Sequence, residues 1–217
     1  MSRRAVLASI LNASEAGLEI ADGALASLSG GTSQVNLNTL VESLRYSPRD
    51  SQLKTDALTE LSEYWKAARQ FYAPFESESL VAGGDLYQHE MPGGQFTNLK
   101  AQARSLGLEE RWHEVAQAYA DANQMFGDIV KVTPSSKVVG DMALMMVAQG
   151  LNRAQVEDPG VEVAFPDSVV DMMKGNLGQP PGGWPAGILL KVLKGEKPSL
   201  ERPGKHLKPV DLEAARA

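Results

Sequence analysis

Hydrophobic residues recur at intervals of three and four along most of the chain, which is the spacing of one face of an α-helix. Near the start, Val6, Ile10 and Ala13 share one such stripe, and Gly17 ends the predicted helix. The same spacing predicts further helices over residues 36–44, 55–72, 97–105, 109–126, 134–149, 167–174 and 187–194. The pattern therefore predicts a mostly α-helical protein.

Hydroxyl and proline residues predict where two of these helices begin. Thr55 stands where it can cap the helix that follows, and Thr133 precedes Pro134, which suits a first helical position. Residues 76–95 are rich in glycine, glutamate and serine, and they are predicted to form an ordered loop. The turn at Tyr46–Asp50 predicts a boundary between two regions.

Residues 18–25 alternate between apolar and polar side chains and predict one short strand. The glycine-rich loop Ser29–Gln34 follows, and the next helix begins near Asn36, so the opening resembles one repeat of an α/β fold. Everything after residue 50 is predicted to be helix or loop, which leaves this strand without a partner. Because a single strand is not stable by itself, the pattern indicates a fragment of a larger sheet or barrel.

Composition excludes several classes of protein. The 217 residues are 43% hydrophobic and 22% charged, which is ordinary for a soluble globular protein. The net charge of -6 argues against nucleic acid or an anionic membrane surface as a partner. There is no cysteine, so disulfides and thiolate metal sites are excluded, and a cytoplasmic location fits. No apolar run has the length of a membrane span, and polar residues interrupt the N-terminal stretch too early for a signal peptide.

The loop Ser29–Gln34 is the candidate site that these patterns indicate. It follows a strand and precedes a helix, which in an α/β barrel is the face that binds substrates. Its glycines let the backbone approach a ligand, and the hydroxyls of Thr32 and Ser33 can both donate and accept hydrogen bonds. A plain glycine-rich connector is the alternative. No Gly-Lys-Ser/Thr follows, so the loop is not a phosphate-binding loop of the Walker type.

The three histidines, His89, His113 and His206, have no spacing typical of metal ligands. His89 could act as a catalytic base, although a hydrogen-bonded structural role is favoured, and His113 is predicted to be solvated. The stripe formed by Met142, Met145 and Met146 is predicted to be core.

Two strings carry a family resemblance. The segments Glu90–Leu99 and Val132–Asp141 resemble the C-terminal part of the carboxyltransferase domain of the pyruvate carboxylase family. Further similar strings follow the order of that family and span nearly the whole chain; they are Ala26–Gln34, Glu63–Arg69, Ala122–Asp128, Phe165–Val170 and Arg202–Gly204.

The resemblance implies a fold and a division into domains. Residues 1–45 would be the last helix, strand and helix of a TIM (β/α)8 barrel. Residues 50–217 would be the all-helical carboxylase extension that covers the barrel mouth. A barrel tail of this kind agrees with the strand that lacks a predicted partner.

The resemblance also implies a reaction, in which a carboxyl group passes from carboxybiotin to pyruvate and gives oxaloacetate. Thr32 occupies the position of the family's proton-relaying threonine, which makes it the candidate catalytic residue. Ser33 and Gln34 beside it are candidates for binding pyruvate or biotin. Val35 stands where the family usually has proline, which we expect to loosen the loop while leaving Thr32 in place.

Cofactors and partners follow from the same resemblance. The complete enzyme would use biotin carried on another domain, ATP and a divalent metal ion. The family's metal motifs are missing here, so no metal ligand is assigned and this chain alone is expected to bind none of these groups. Its expected partners are the biotin carboxylase domain, the biotin carrier, the remaining barrel strands and pyruvate. The full enzyme is expected to be a homo-oligomer, with neither nucleic acid nor membrane as a partner.

Two alternatives remain open at this point. The α subunit of oxaloacetate decarboxylase and a transcarboxylase subunit share the same domain, although the strings Gln95–Leu99 and Ala122–Met125 look more like the carboxylase. A fragment of this kind could also act only as a non-catalytic scaffold or subunit contact, and we expect it to be inactive alone.

Overall fold

The computed structural model describes residues 3–76 and 86–216. Within these ranges most of the regular structure is α-helix, as predicted, with one pair of short strands. The elements are α1 Arg3–Glu15, β1 Gly23–Ala24, β2 Val35–Asn36, α2 Leu37–Leu44, α3 Thr55–Tyr72, α4 Leu86–His89, α5 Gly93–Ser105, α6 Trp112–Met125, α7 Ser135–Gln149, α8 Arg153–Glu157, α9 Asp167–Lys174 and α10 Ala186–Val192. No described helix has the length and apolar character needed to cross a bilayer.

The chain divides into two compact units. The first holds the described residues up to Gln88 together with Phe96–Asn98. The second holds His89–Gln95 and the described residues from Leu99 onward. Most of helix α5 thus belongs to the second unit, while its three residues 96–98 belong to the first.

The prediction of one unpaired strand at residues 18–25 is wrong. Strand β1 has only two residues, and it pairs in parallel with β2, with Gly23 opposite Val35 and Ala24 opposite Asn36. The partner lies where the pattern places the start of a helix. The chain can return to β1 because Gly30 and Gly31 take positive φ angles of 140° and 50° in the loop between the strands.

Helix α2 follows β2 directly and is capped as its sequence suggests. The Asn36 side chain accepts a hydrogen bond from the Thr39 amide at 3.0 Å. Leu40 and Val41 are buried at 5% and 4% exposure, so α2 anchors the strand pair through its apolar face. Helix α2 packs against α3.

Helix α3 holds the short 3₁₀ turn Ala26–Leu28 that leads into the candidate loop. Arg69 donates one guanidinium hydrogen bond to the Ser27 carbonyl at 2.6 Å and pairs with the Glu76 carboxylate through two others. The Arg69 hydrogen bonds hold the pKa of Glu76 below its usual value. Asn38 completes the support, because its side-chain oxygen accepts from the Ala26 amide at 3.0 Å.

The core of the second unit forms where α7 packs against α6 and α9. Two residues of the predicted methionine stripe are part of that core, Met142 and Met146 at 0% and 1% exposure, whereas Met145 is half-buried. Tyr119 on α6 is fully buried, and burial raises the pKa of its hydroxyl. Gly140 makes room on α7, because a Cβ there would collide with Gln95 Nε2 and lie 3.0 Å from Leu99 Cδ1.

The predicted helix ends are confirmed more often than the predicted starts. Gly150 and Gly175 follow α7 and α9 in the left-handed conformation. Thr55 begins α3 without capping it, and its hydroxyl donates instead to Glu42 Oε1 at 2.6 Å. Thr133 does not cap α7 either, because that helix begins at Ser135, whose own hydroxyl accepts from the Val132 amide.

Two short helices escaped prediction. Helix α4 and the first turn of α5 occupy part of the predicted loop 76–95, of which residues 77–85 lie outside the described residues. Helix α8 is too short to show a hydrophobic period. Its start carries a readable signal, since Asn152 and Gln155 exchange side-chain to backbone hydrogen bonds of 3.0 and 2.9 Å as a capping box.

Gly175 and Gly178 allow the cost of backbone strain to be measured apart from the cost of a steric collision. Gly175 and Gly178 have φ angles of 94° and 99°, but only at Gly175 would a Cβ meet other atoms, namely the Ser199 carbonyl oxygen and Gln179 Nε2. Gly178→Ala should lower the free energy of unfolding by about 1 kcal/mol through strain alone. Gly175→Ala should cost at least about 1 kcal/mol more. Urea unfolding followed by tryptophan fluorescence measures both, and equal costs would contradict the packing described here.

Arg69 offers a test of how the candidate loop is held. Arg69→Met keeps the aliphatic stem but removes the bond to the Ser27 carbonyl, so amide hydrogen exchange in residues 25–34 should quicken by about ten-fold. Lys66→Met is the matched control, since Lys66 lies on the same helix and only makes an exposed pair with Glu63 at 3.5 Å. Exchange measured by mass spectrometry that is the same in both variants would show that Arg69 does not support the loop.

Candidate active-site loop

The loop Ser29–Gln34 is a tight turn closed by its own hydrogen bonds. The Ser33 amide donates to the Gly30 carbonyl at 2.9 Å, and the Gly30 amide donates to Ser33 Oγ at 2.8 Å. The Ser33 hydroxyl in turn donates to the Gln34 carbonyl at 2.8 Å. Ser33 therefore shapes the loop from within, and its side chain is exposed.

Thr32 lies at the exposed tip of this turn. Its Oγ1 is 3.0 Å from Oγ1 of Thr97, a residue of α5 that lies 65 positions further along the chain. Both residues belong to the first unit. The structure thus joins two of the strings that carry the family resemblance, the glycine loop and the segment Glu90–Leu99.

Sequence reasoning missed Thr97 as a site residue. The residue lies inside a segment that carries the family resemblance, and no periodic pattern connects it with Thr32. The one available signal was its residue type, because a hydroxyl inside a helix turn offers a donor and an acceptor that packing does not require.

Gln34 and Val35 lead the chain out of the loop in different ways. Gln34 is exposed, whereas Val35 is buried at 5% exposure and begins the strand that pairs with Gly23. A buried valine at this position fastens the C-terminal end of the loop to the body of the unit. The loop therefore has an apolar anchor on that side of Thr32, and the expectation that valine in place of proline loosens the loop stays a prediction.

His89 has a structural role in this geometry. It is 5% exposed, and its Nδ1 accepts a hydrogen bond from the Met91 amide at 3.0 Å. Acceptance at Nδ1 requires the neutral ring with its proton on Nε2. His113 is exposed on α6, as predicted.

The residue types that could bind a metal ion are scattered. In the part of the chain that the structure describes, no three histidine, aspartate or glutamate residues lie close enough together to hold one. The described side chains therefore do not fit the divalent metal ion that the family resemblance implies, and no step of the chemistry is assigned to such an ion on this chain.

Comparison with known proteins places this geometry in a family. The model of the family described as the conserved carboxylase domain matches residues 86–217, which is more than half of the chain. Pyruvate carboxylase 1 of Caenorhabditis elegans is 47% identical over 213 residues, covering 97% of this chain and 18% of its own length. The mitochondrial pyruvate carboxylase of Homo sapiens is 46% identical over 211 residues, covering 96% of this chain and 18% of its own length.

Solved structures agree with the sequence relatives. The carboxyl transferase domain of Rhizobium etli pyruvate carboxylase, solved with pyruvate and biocytin, matches with a TM-score of 0.91 and 61% identity. The match covers 97% of this chain and 35% of that one. The complete multifunctional enzyme of Rhizobium etli matches with the same TM-score, and this chain covers 20% of it.

The matches cover different shares of this chain and of its relatives. They cover nearly all of this chain, yet the chain spans less than a fifth of the length of the curated relatives. Because the family model covers more than half of the chain at residues 86–217, the chain belongs to the conserved carboxylase domain family, as its motifs predicted.

Proposed function

We propose that this chain is part of a pyruvate carboxylase and contributes to the transfer of a carboxyl group from carboxybiotin to pyruvate, which gives oxaloacetate. The observation that carries the proposal is the match to the Rhizobium etli carboxyl transferase domain, which was solved with pyruvate and biocytin. That match has 61% identity and a TM-score of 0.91, and it covers 97% of this chain.

Thr32 is proposed as the proton relay of this reaction. The bond between the ureido nitrogen and the carboxyl group of carboxybiotin, which another domain supplies, breaks and releases the group as CO2. The carbanion that pyruvate becomes when its methyl group loses a proton then forms a carbon–carbon bond to that CO2. The Thr32 hydroxyl accepts a proton from the methyl group of pyruvate and gives its own proton to the ureido nitrogen of biotin, so the hydroxyl ends the step unchanged. A hydroxyl suits this exchange because it is donor and acceptor at one atom. The exposed position of Thr32 at the tip of the turn supports the assignment.

Ser33 and Gln34 are proposed to contribute to the binding of pyruvate or biotin. The internal hydrogen bonds of Ser33 favour a share in shaping the loop rather than a free binding group. Gln34 is exposed beside Thr32, and its amide can donate and accept hydrogen bonds.

We also propose that residues 1–45 form the end of a TIM barrel and that residues 50–217 form the helical extension. The order of α1, β1 and α2 along the chain supports a barrel origin, because each strand of a TIM barrel lies between α-helices in the sequence.

Exposed apolar residues on and just after α3 further support a larger protein. They are Leu61 at 49%, Tyr64 at 67%, Trp65 at 40%, Phe71 at 81%, Tyr72 at 63% and Phe75 at 85% exposure. Apolar surface of this extent ordinarily packs against another part of a protein. In the proposed enzyme the remaining barrel strands are the natural candidates for that contact.

The remaining partners and cofactors belong to the complete enzyme in this proposal. Biotin is carried on another domain, while ATP and a divalent metal ion bind outside this chain. The biotin carboxylase domain, the biotin carrier and a homo-oligomeric assembly complete the enzyme. A cytoplasmic location stays a prediction, because the relatives include an enzyme named mitochondrial as well as that of Bacillus subtilis. The named relatives are pyruvate carboxylases, which favours that enzyme over a decarboxylase or transcarboxylase subunit.

The relay assignment is tested in an intact pyruvate carboxylase that contains this segment. Thr32→Ala should slow oxaloacetate formation by at least about 100-fold, because general acid–base catalysis contributes on that order. ATP-dependent carboxylation of biotin should continue at its normal rate, since it does not use this loop.

Two control variants make the result specific. Thr32→Ser keeps the hydroxyl and should retain most of the activity. Thr59→Ala removes an exposed hydroxyl that bonds to the Thr55 carbonyl on α3, and it should leave both half-reactions unchanged. If Thr32→Ala transfers the carboxyl group as fast as the unmodified enzyme, Thr32 is not the relay.

The purified 217-residue chain should not catalyse biotin-dependent decarboxylation of oxaloacetate. The reason is that its described residues contain no group of three metal ligands, whereas the proposed chemistry requires a metal ion. An intact carboxylase in the same assay serves as positive control, and circular dichroism establishes that the isolated chain is helical. Measurable turnover by the chain alone would contradict the view that it is only part of the catalytic unit.

A further inference from the structure

We propose that Thr97 is a positioning residue whose hydroxyl orients the Thr32 hydroxyl for proton relay. The inference rests on the proposed function of Thr32 and deepens it. The two Oγ1 atoms are 3.0 Å apart, which is within hydrogen-bond distance.

The two residues differ in how firmly the chain holds them. Thr32 lies at the exposed tip of a turn, directly after Gly30 and Gly31, which are the most permissive residues for backbone motion. Thr97 is the fifth residue of α5, a helix of 13 residues whose backbone hydrogen bonds fix its φ and ψ angles. The hydrogen bond therefore connects a group on a loop with a group on a rigid element, which is the arrangement that limits the loop hydroxyl to one orientation.

The protons and lone pairs of the two hydroxyls explain why a contact between Thr32 and Thr97 suits a relay. A threonine hydroxyl has one proton and two lone pairs. The relay uses the proton of Thr32 and one of its lone pairs, which leaves one lone pair for a donor from the protein. When Thr97 donates to that lone pair, the proton of Thr32 is directed away from Thr97 and is available to the substrate side. The reverse direction would engage the Thr32 proton and block transfer.

The contact contributes little to the stability of the fold. A hydrogen bond between two neutral hydroxyls that water can reach exchanges one partner for another at nearly equal free energy. The bond spans 65 residues at the surface of the unit, and neither hydroxyl is buried. Its loss should therefore appear in the rate of carboxyl transfer rather than in the unfolding transition.

The test uses an intact pyruvate carboxylase that contains this segment. Thr97→Val removes the hydroxyl and keeps the branched shape, whereas Thr97→Ser keeps the hydroxyl. We expect Thr97→Val to lower kcat for oxaloacetate formation about ten-fold while KM for pyruvate changes less than about two-fold. Thr97→Ser should retain most of the kcat of the unmodified enzyme. Biotin carboxylation should be unchanged in both variants.

Ser105→Ala is the matched control. Ser105 lies at the end of the same helix, and its hydroxyl donates to the Gln102 carbonyl at 2.8 Å. This variant should leave both half-reactions at their normal rates. The midpoint of thermal unfolding should also stay within about two degrees of the unmodified protein for Thr97→Ser and Ser105→Ala.

The outcomes separate this inference from the proposed function. Loss of transfer in Thr32→Ala together with normal kcat in Thr97→Val would overturn only the role of Thr97. Equal losses in Thr97→Ser and Thr97→Val would also overturn it, because the hydroxyl would then not matter. Normal transfer in Thr32→Ala would remove the relay itself, and the role of Thr97 would fall with it.

Discussion

The parallel contact between Gly23–Ala24 and Val35–Asn36 is the constraint on which the candidate site depends. It brings the two ends of the loop together and leaves Thr32 at the tip. The contact leaves little room for a side chain at position 23, because a Cβ there would lie 3.0 Å from Leu37 Cβ and 3.1 Å from Leu37 Cδ1. A ladder this short is not stable by itself, so the buried residues Val35, Leu40 and Val41 supply the free energy that maintains it.

Polar contacts then determine how the loop is presented. Arg69 and Asn38 bind the backbone of the turn before it, and Ser33 closes the turn from within. The Arg69 guanidinium donates to a backbone carbonyl, whereas the Asn38 side-chain oxygen and the Ser33 hydroxyl accept from backbone amides. Side chains thus satisfy backbone groups outside the short strands. Thr32 is held from another direction by Thr97 of α5. The loop is therefore supported on both sides although its own residues are exposed.

The second unit has an ordinary helical core. Helices α6, α7 and α9 pack through small and flexible side chains, including Met142 and Met146. Gly140 allows the close approach of Gln95 and Leu99. The family model matches residues 86–217, which takes in this helical core, whereas the proposed catalytic threonine lies outside that range. Family membership and the proposed chemistry thus rest on different parts of the chain.

The amino-acid sequence by itself determined the helical class, the ends of α7 and α9 at Gly150 and Gly175, and the family resemblance. The helices and their ends are local features, because periodicity and glycine conformation act over a few residues. The family resemblance rests on short segments of sequence and needs no contact between them. Tertiary structure alone decided the pairing of β1 with β2, the hydrogen bond of Thr55 to Glu42 in place of a cap, and the contact between Thr32 and Thr97. Those features depend on contacts between distant residues, and packing overrides local preference where the two disagree.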